Sequence, residues 1–304
     1  MHCLIVITGA TASGKTSVAV ELAKKLGCDI ISADSRQIFR QIPIGTATPT
    51  PDEMAGVTHH FISCKNLDEY YSAAAFETDV LALLQKLWQT NDYAILCGGS
   101  MMYVDAVVNG IDDLPDISPA IRQHAASIYR DGGIEAIRAQ LEILDPDYYQ
   151  QVDLNNHKRL IHAVEICLQA GKPYSSLRTG QRKHRDFKIL KFAIDLDRKQ
   201  LFDRINRRVE MMIDAGLEDE ARRVYPLRNL NSLNTVGYKE MFAMFDGVMD
   251  RETAIARLQK NTRVFAKKQL TWLKRDPSVI YVQYPDVADK IYNYIISYHD
   301  SARL

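Results

Sequence analysis

Short apolar runs alternate with stretches of helical periodicity over the first hundred residues. The run at 4–7 predicts a buried strand, and residues 17–26 have helix-forming character. A second strand is predicted at 28–32, and a helix over 71–88 leads into a further strand at 93–97. Strands that alternate with helices are typical of an α/β fold, in which helices cover both faces of a parallel sheet.

The pattern changes near residue 112, where two proline-containing segments interrupt it. Residues 121–129, 134–144 and 159–170 then predict helices with no strand between them. Later elements are predicted in the order strand 188–196, helix 198–215, helix 251–274, strand 279–282 and a final helix. The sequence therefore predicts a core in two parts, 1–112 and 188–304, with a helical insertion at 113–187.

A complete G-x-x-x-x-G-K-T motif lies between the first predicted strand and the first predicted helix. Its residues are Gly9, Ala10, Thr11, Ala12, Ser13, Gly14, Lys15 and Thr16. In this setting the backbone N–H groups of a glycine-rich loop point at one anion at a helix N-terminus. Lys15 would reach the terminal phosphates, and the Thr16 hydroxyl would ligate Mg²⁺. A chance glycine-rich turn is the alternative, but the strand–loop–helix context favours a P-loop core that binds a phosphorylated small molecule.

The loop alone leaves that molecule open. Enzymes that bind ATP or GTP in such a loop usually carry an acidic residue at the end of a second strand, to organise magnesium. Here the strand at 93–97 ends in Gly98-Gly99-Ser100, and Asp195 is a weaker candidate much later. A pyrophosphate would satisfy the loop as well as a triphosphate. Because ligands bind beyond the carboxyl ends of parallel strands, Thr8–Gly9, Asp34 and 98–100 should converge on one crevice.

Composition narrows the class of protein. The 304 residues are 46% hydrophobic and 25% charged, as in globular proteins. No apolar run approaches the roughly 20 residues of a membrane-spanning helix, and we expect no signal peptide. The five cysteines form no C-x-x-C pair, which favours reduced thiols in a cytoplasmic protein. His59-His60 with Cys64 lack a second ligand pair, so we expect them to be structural.

The net charge of zero hides an asymmetry along the chain. Residues 1–152 carry 10 Lys and Arg against 19 Asp and Glu, whereas residues 153–304 carry 28 against 19. The basic residues concentrate at 178–191, 198–208 and 257–275. A solvated helix face is the usual meaning of such a run, but three runs in one half favour a polyanionic partner such as nucleic acid.

Several motifs occur in a characteristic order. They are Gly9 to Thr16, residues 31–39 (Ile-Ser-Ala-Asp-Ser-Arg-Gln-Ile-Phe), 44–47 (Ile-Gly-Thr-Ala), 59–61, 71–76, 98–103 (Gly-Gly-Ser-Met-Met-Tyr), 204–212, 236–238 and 262–272. With them the chain resembles the bacterial type of the tRNA dimethylallyltransferase (tRNA isopentenyltransferase) family over nearly its whole length. Each motif is weak by itself, but the ordered set is highly specific.

The resemblance implies transfer of a dimethylallyl group from dimethylallyl pyrophosphate to the exocyclic amine of the adenosine 3′ of a tRNA anticodon. It places pyrophosphate on the Gly9–Thr16 loop with Mg²⁺, and it gives Arg208, Lys15 and Thr16 the task of stabilising the leaving group. It makes Asp34 the base that removes the proton of the amine. A solvated helix charge is the alternative for Arg208, and a helix N-cap is the alternative for Asp34.

The resemblance also implies contacts with the anticodon stem-loop. These would come from Asp34, Ser35, Arg36, Gln37, Ser100, Arg122, Lys158, Arg159, Leu160, Ile161, His162, Asn234, Thr235, Val236, Gly237, Tyr238 and Lys239. The insertion and the basic helix near 257–275 would clamp the RNA, and the protein is expected to be a monomer. The chain departs from the family pattern at Thr48, Asn156 and His162, which leaves its choice of tRNA open.

Three other functions remain compatible with these motifs. A relative that prenylates free adenine nucleotides would share the catalytic residues but would have less need of a basic second half. A small-molecule kinase would use ATP at the Gly9–Thr16 loop. A non-catalytic RNA-binding protein would have no need of the loop, the acid and the arginine together.

Overall fold

A computed structural model describes residues 2–301 of the chain. The strands are β1 Cys3–Gly9, β2 Ile30–Ser32, β3 His59–His60, β4 Tyr93–Cys97, β5 Lys188–Asp195 and β6 Val279–Gln283. The helices are α1 Lys15–Leu26, α2 Pro51–Met54, α3 Ala73–Leu87, α4 Met101–Asn109, α5 Pro119–Leu144, α6 Pro146–Tyr149, α7 His157–Ala170, α8 Tyr174–Leu177, α9 Arg198–Asp214, α10 Leu217–Val224, α11 Tyr238–Phe245, α12 Arg251–Leu273 and α13 Val287–Ser301. None of these described helices is long and apolar enough to cross a membrane.

The six strands form one sheet in the order β3-β2-β4-β1-β5-β6, and every neighbouring pair is parallel. Strand β1 is buried along its whole length because it lies in the interior of the sheet and is covered on both faces. Its odd-numbered residues Cys3, Ile5 and Ile7 pack in one core with α1 and α13. Its even-numbered residues Leu4 and Val6 pack in another core with α3 and α4. The predicted parallel sheet with helices on both faces is confirmed.

The chain divides into two compact units, and the smaller one is Asn109–His184. It is helical, with α5 and α7 packed around a core that includes Ala125, Leu141 and Leu160. Helix α5 is broken at Gly133, whose φ of 66° is left-handed. The break separates the two helices that the sequence predicts at 121–129 and 134–144. The remaining described residues form the other unit, which contains the sheet.

Candidate active site

A cavity of about 820 Å³ opens in the sheet-containing unit, at the carboxyl ends of β1, β2 and β4. The loop after β1 contributes Thr11 to the lining, the segment after β2 contributes Asp34, and the turn after β4 contributes Gly98 and Gly99. Helix α9 adds Arg204 and Arg208. The structure therefore brings the three strand ends to one crevice, as the parallel strand order predicts.

The Gly9–Thr16 loop presents a helix N-terminus to this cavity. Helix α1 starts at Lys15, and Gly14 before it has a φ of 92° and provides no side-chain cap. A Cβ at Gly14 would also overlap the Tyr284 hydroxyl, so both conformation and space require glycine there. The first N–H groups of a helix have no partner within the helix. Together with the helix dipole, they make this end of α1 suited to bind an anion.

Lys15 lies folded back over the loop. Its Nζ donates to the carbonyl oxygens of Gly9 at 3.2 Å and Ala10 at 2.7 Å. Burial lowers the pKa of Lys15 to about 8, although the nearby Cys97 and Asp34 favour its charged form. The same burial raises the pKa of the Cys97 thiol to about 11. Lys15 adjoins Thr16, which also lines the cavity.

Arg208 reaches the loop from α9. Its Nη1 donates to Thr11 Oγ1 at 3.4 Å. Burial lowers the pKa of Arg208, while the carboxylates of Asp34 and Glu53 oppose this shift. The neighbouring Arg207 is exposed and does not line the cavity. Within the described chain Lys15 and Arg208 donate to neutral groups of the loop and neither is ion-paired with a carboxylate, so the two charges can serve an anionic ligand.

Asp34 follows β2 and caps a turn. Its Oδ1 accepts the backbone N–H groups of Arg36 at 2.9 Å and Gln37 at 3.3 Å. Among residues 2–301 its other oxygen, Oδ2, accepts no hydrogen bond. The capping interpretation therefore describes one oxygen of Asp34, and the second remains available at the wall of the cavity.

The neighbours of Asp34 are held by protein contacts. Ser100 Oγ accepts the N–H of Ser35 at 2.8 Å and contacts its hydroxyl at 3.2 Å. Arg36 donates to the carbonyl of Ser232 at 3.0 Å. Gln37 donates from Nε2 to the carbonyl of Ala47 at 2.9 Å, and it lines the cavity. Of Ser35, Arg36 and Gln37, which the resemblance assigns to tRNA contacts, Gln37 is the one that lines the cavity.

The other expected RNA contacts divide by exposure. Arg122, Lys158, Arg159 and His162 are exposed on the helical unit, where Ile161 is half-buried, and Lys239 is exposed on the sheet-containing unit near the half-buried Asn234, Thr235 and Val236. Gly237 is buried as the N-cap residue of α11. Leu160 and Tyr238 are fully buried in hydrophobic cores. Burial therefore removes the side chains of Leu160 and Tyr238 from the expected RNA contacts.

The departures from the family pattern have local roles. The Asn156 side chain accepts the N–H of Arg159 at 3.3 Å and caps α7, a task that asparagine performs as well as aspartate. His162 lies 3.8 Å from Glu165 on the same helix. The Thr48 hydroxyl lies 2.9 Å from that of Thr46, and both residues line the cavity.

Several residues at the cavity were not predicted from the sequence, among them Glu53, Phe265 and Gln269. Glu53 belongs to a capping box with Thr50, a pattern that was readable in the sequence. Phe265 and Gln269 come from α12, a helix whose basic residues predict a solvent-facing side. Nothing in the local sequence shows that the other side of α12 lies against the loop.

No group of three or more His, Cys, Asp or Glu within residues 2–301 is arranged to hold a metal ion. His59 contacts the Val57 carbonyl at 2.9 Å, and His60 contacts Asp29 at 2.8 Å. For Mg²⁺ the structure offers the Thr16 hydroxyl at the anion site. This fits the habit of Mg²⁺, which often takes one or two protein oxygens and completes its shell with phosphate oxygens and water.

The chain is similar to a known protein family and to several of its named members. The family model described as IPP transferase matches residues 37–276. A protein of Parabacteroides distasonis named tRNA dimethylallyltransferase 2 is 48% identical over 97% of this chain and 98% of its own length. One of the same name from Porphyromonas gingivalis is 51% identical over 91% of this chain and 93% of its own.

Two solved structures are also similar to this chain. The full-length tRNA isopentenylpyrophosphate transferase of Bacillus halodurans is 34% identical, with a TM-score of 0.73 over 98% of this chain and 96% of that one. A eukaryotic dimethylallyltransferase acting on tRNA has a TM-score of 0.80 over 95% of this chain and 75% of its own. At 24% identity this second likeness concerns the fold alone.

Proposed function

The chain belongs to the IPP transferase family, and from this membership we propose that it transfers a dimethylallyl group from dimethylallyl pyrophosphate to the exocyclic amine of the adenosine 3′ of a tRNA anticodon. Pyrophosphate is released. The observation that carries the proposal is the single cavity in which an anion-binding helix terminus, two unpaired cations and a carboxylate with a free oxygen meet.

The donor lies with its pyrophosphate at the N-terminus of α1. As the allylic C–O bond breaks, negative charge builds on the leaving pyrophosphate, and Lys15, Arg208 and the loop N–H groups stabilise it. Thr16 would hold Mg²⁺, which would supply further positive charge for the leaving pyrophosphate. Met211 and Phe265 line the same cavity and offer an apolar surface for the five-carbon group.

The acceptor amine approaches from the Asp34 side. Its nitrogen forms a bond to the allylic carbon while the C–O bond to pyrophosphate breaks. Asp34 Oδ2 takes the proton that the amine loses. The Oδ1 hydrogen bonds from Arg36 and Gln37 hold the carboxylate in place without occupying that oxygen.

The excess of basic residues in the second half of the sequence is not distributed evenly over that half. The unit Asn109–His184 carries 9 Lys and Arg against 10 Asp and Glu, so the excess lies elsewhere. Beyond its first turn, α12 exposes four basic residues: Arg257, Lys260, Lys267 and Lys268. We assign the salt-dependent part of tRNA affinity to this face, and the shape-dependent part to the helical unit.

Neutralising Lys260 and Lys268 to glutamine is expected to raise the KM for tRNA and leave the KM for dimethylallyl pyrophosphate unchanged. Fewer counterions are released when a phosphate contact is lost. The negative slope of log K against log salt should therefore become less steep by about 1–2 for the pair. The matched control neutralises Lys24 and Lys86, exposed lysines on α1 and α3. A parental salt slope in the Lys260/Lys268 variant would contradict the assignment.

The pH dependence of donor binding follows from the lowered pKa of Lys15. A lysine with a pKa of about 8 is charged below that pH and loses its charge above it. Because the donor is anionic, kcat/KM for dimethylallyl pyrophosphate should fall as the pH rises through about 8. In a Lys15→Arg variant, whose guanidinium stays charged, the residual activity should lack this decline. An identical decline in both proteins would assign the titration to another group.

The released products distinguish the proposed transferase from a kinase and from a relative that prenylates free nucleotides. The cavity offers little to support a kinase, since β4 ends in Cys97 and Asp195 lies outside the cavity, hydrogen-bonded to Gln283 at 2.9 Å. We expect pyrophosphate release from dimethylallyl pyrophosphate to require tRNA and not to be supported by AMP. Phosphate release from ATP at a comparable rate would favour the kinase, and AMP-dependent release would favour the nucleotide-prenylating relative.

The proposal also includes the cellular location and the oligomeric state of the protein. We infer a cytoplasmic protein, supported by five cysteines that all carry free thiols. We keep a monomer as the expected state, because one chain supplies the whole cavity. Light scattering at working concentrations measures the assembly.

A further inference from the structure

Gln269 joins two loops of the candidate active site through one side-chain amide. It is 3% exposed and lies in the last turns of α12. Its Oε1 accepts the backbone N–H of Thr11 at 2.8 Å, and its Nε2 donates to the carbonyl of Gly99 at 2.8 Å. Thr11 belongs to the loop after β1, and Gly99 belongs to the turn after β4. One residue of α12 therefore holds both strand ends.

The two loops serve opposite sides of the proposed reaction. Thr11 lies in the anion-binding loop and contacts Arg208. Gly99 precedes Ser100, whose hydroxyl accepts the N–H of Ser35, the residue after Asp34. The separation between the loops thus influences the distance from the leaving group to the base.

We propose that Gln269 is a positioning residue that sets this separation and aligns donor and acceptor for transfer. The inference rests on the proposed function. Alignment of reactants is worth a large share of catalysis, and a misplacement of 1 Å can cost about 10²-fold in rate.

The glutamine amide meets two requirements of this position at once. The side chain must accept from Thr11 and donate to Gly99, and an amide does both. Glutamate keeps the acceptor but sets a second oxygen against the Gly99 carbonyl. Leucine fills the space and leaves both backbone groups unpaired, while asparagine is one carbon too short.

Gly99 is matched to Gln269. A Cβ at Gly99 would overlap Gln269 Nε2, whereas the nearest atom outside Gln269, the Gly9 carbonyl oxygen, is an ordinary 3.5 Å away. The absence of a side chain at Gly99 is therefore what allows the amide to reach its carbonyl. This relationship makes the proposal testable by a double-mutant cycle.

The first test measures single-turnover kinetics of Gln269→Leu. We expect the rate of transfer to fall by about 10–10²-fold, with the KM for tRNA changed by no more than roughly threefold. Gln269→Glu, which keeps the shape, should show the same loss. The matched control is Asn261→Leu. It removes the hydrogen bond that the Asn261 side-chain amide donates from α12 to the Glu240 carboxylate, and Asn261 bonds to neither loop. The melting temperatures of all variants show whether a slower rate of transfer is caused by a loss of stability.

The cycle then combines Gly99→Ala with Gln269→Ala. Alone, Gly99→Ala should slow transfer because it displaces the amide; in the Gln269→Ala background it should have little further effect. Additive losses, a parental rate in Gln269→Leu, or equal loss in Asn261→Leu would overturn the inference. An unmutated protein that transfers no dimethylallyl group would instead overturn the proposed function, so the two failures are distinguishable.

Discussion

Replacing Asp34 by asparagine is expected to slow dimethylallyl transfer by about 10²-fold or more while tRNA binding is retained. Asparagine keeps an oxygen for the N–H groups of Arg36 and Gln37, so the turn survives. What it loses is the basicity of the second oxygen, which takes the proton of the amine. Asp34→Ala should lose at least as much, since it removes the cap as well.

Asp197 provides a matched control for this variant. Its Oδ1 accepts the N–H groups two and three residues later, at 2.8 and 3.3 Å, in the same pattern as Asp34. Asp197→Asn should therefore transfer like the parent. Rapid-quench single-turnover rates at saturating tRNA, together with filter binding, provide the comparison. Near-parental rates for Asp34→Asn would remove Asp34 from the mechanism.

Arg208→Ala is expected to cost a comparable or larger factor. Removing a charge-assisted donor from a developing anion costs about 3–4 kcal/mol, or roughly 10²–10³ in rate. Arg208 is positioned for this task by its contact with Thr11 in the anion-binding loop. Lys15→Ala should lose a similar amount, because its ammonium lies over the same loop.

Arg207 is the natural control, since it is adjacent in sequence and exposed. Arg207→Ala should leave the chemical step unchanged. If Arg208→Ala altered only the affinity for RNA, and its single-turnover rate at saturating substrates matched that of Arg207→Ala, Arg208 would be a surface charge.

Most of the sheet could be predicted from the sequence because strands such as β1 and β4 contain runs of consecutive apolar residues. Strand β4 is found at the predicted 93–97, and β5 ends one residue before the predicted 196. Helix α4 was missed because its residues follow directly on the Gly98–Gly99 turn and were treated as part of that motif. The two-residue strand β3 is too short to carry a periodic signal.

Site residues could be predicted from the sequence where the strand order determines their position. They could not be predicted where contacts between residues distant in sequence determine it. The Gly9–Thr16 motif and Asp34 lie at strand ends, so topology alone brings them together. Burial of Tyr238 depends on contacts with Ile42 and Glu220, which are distant in sequence. Gln269 contacts Thr11 from 258 residues away, and no local pattern encodes that distance.

The central claim is that this protein attaches a dimethylallyl group to tRNA. Its most direct test is mass spectrometry of tRNA nucleosides after incubation with the protein, Mg²⁺ and dimethylallyl pyrophosphate. With the parent protein and a short incubation, we predict one modified adenosine, 3′ of the anticodon, that carries a dimethylallyl group on its exocyclic nitrogen. With the Asp34→Asn variant and the same incubation time, we predict no modified adenosine. Unmodified tRNA after prolonged incubation with the parent protein would contradict the claim.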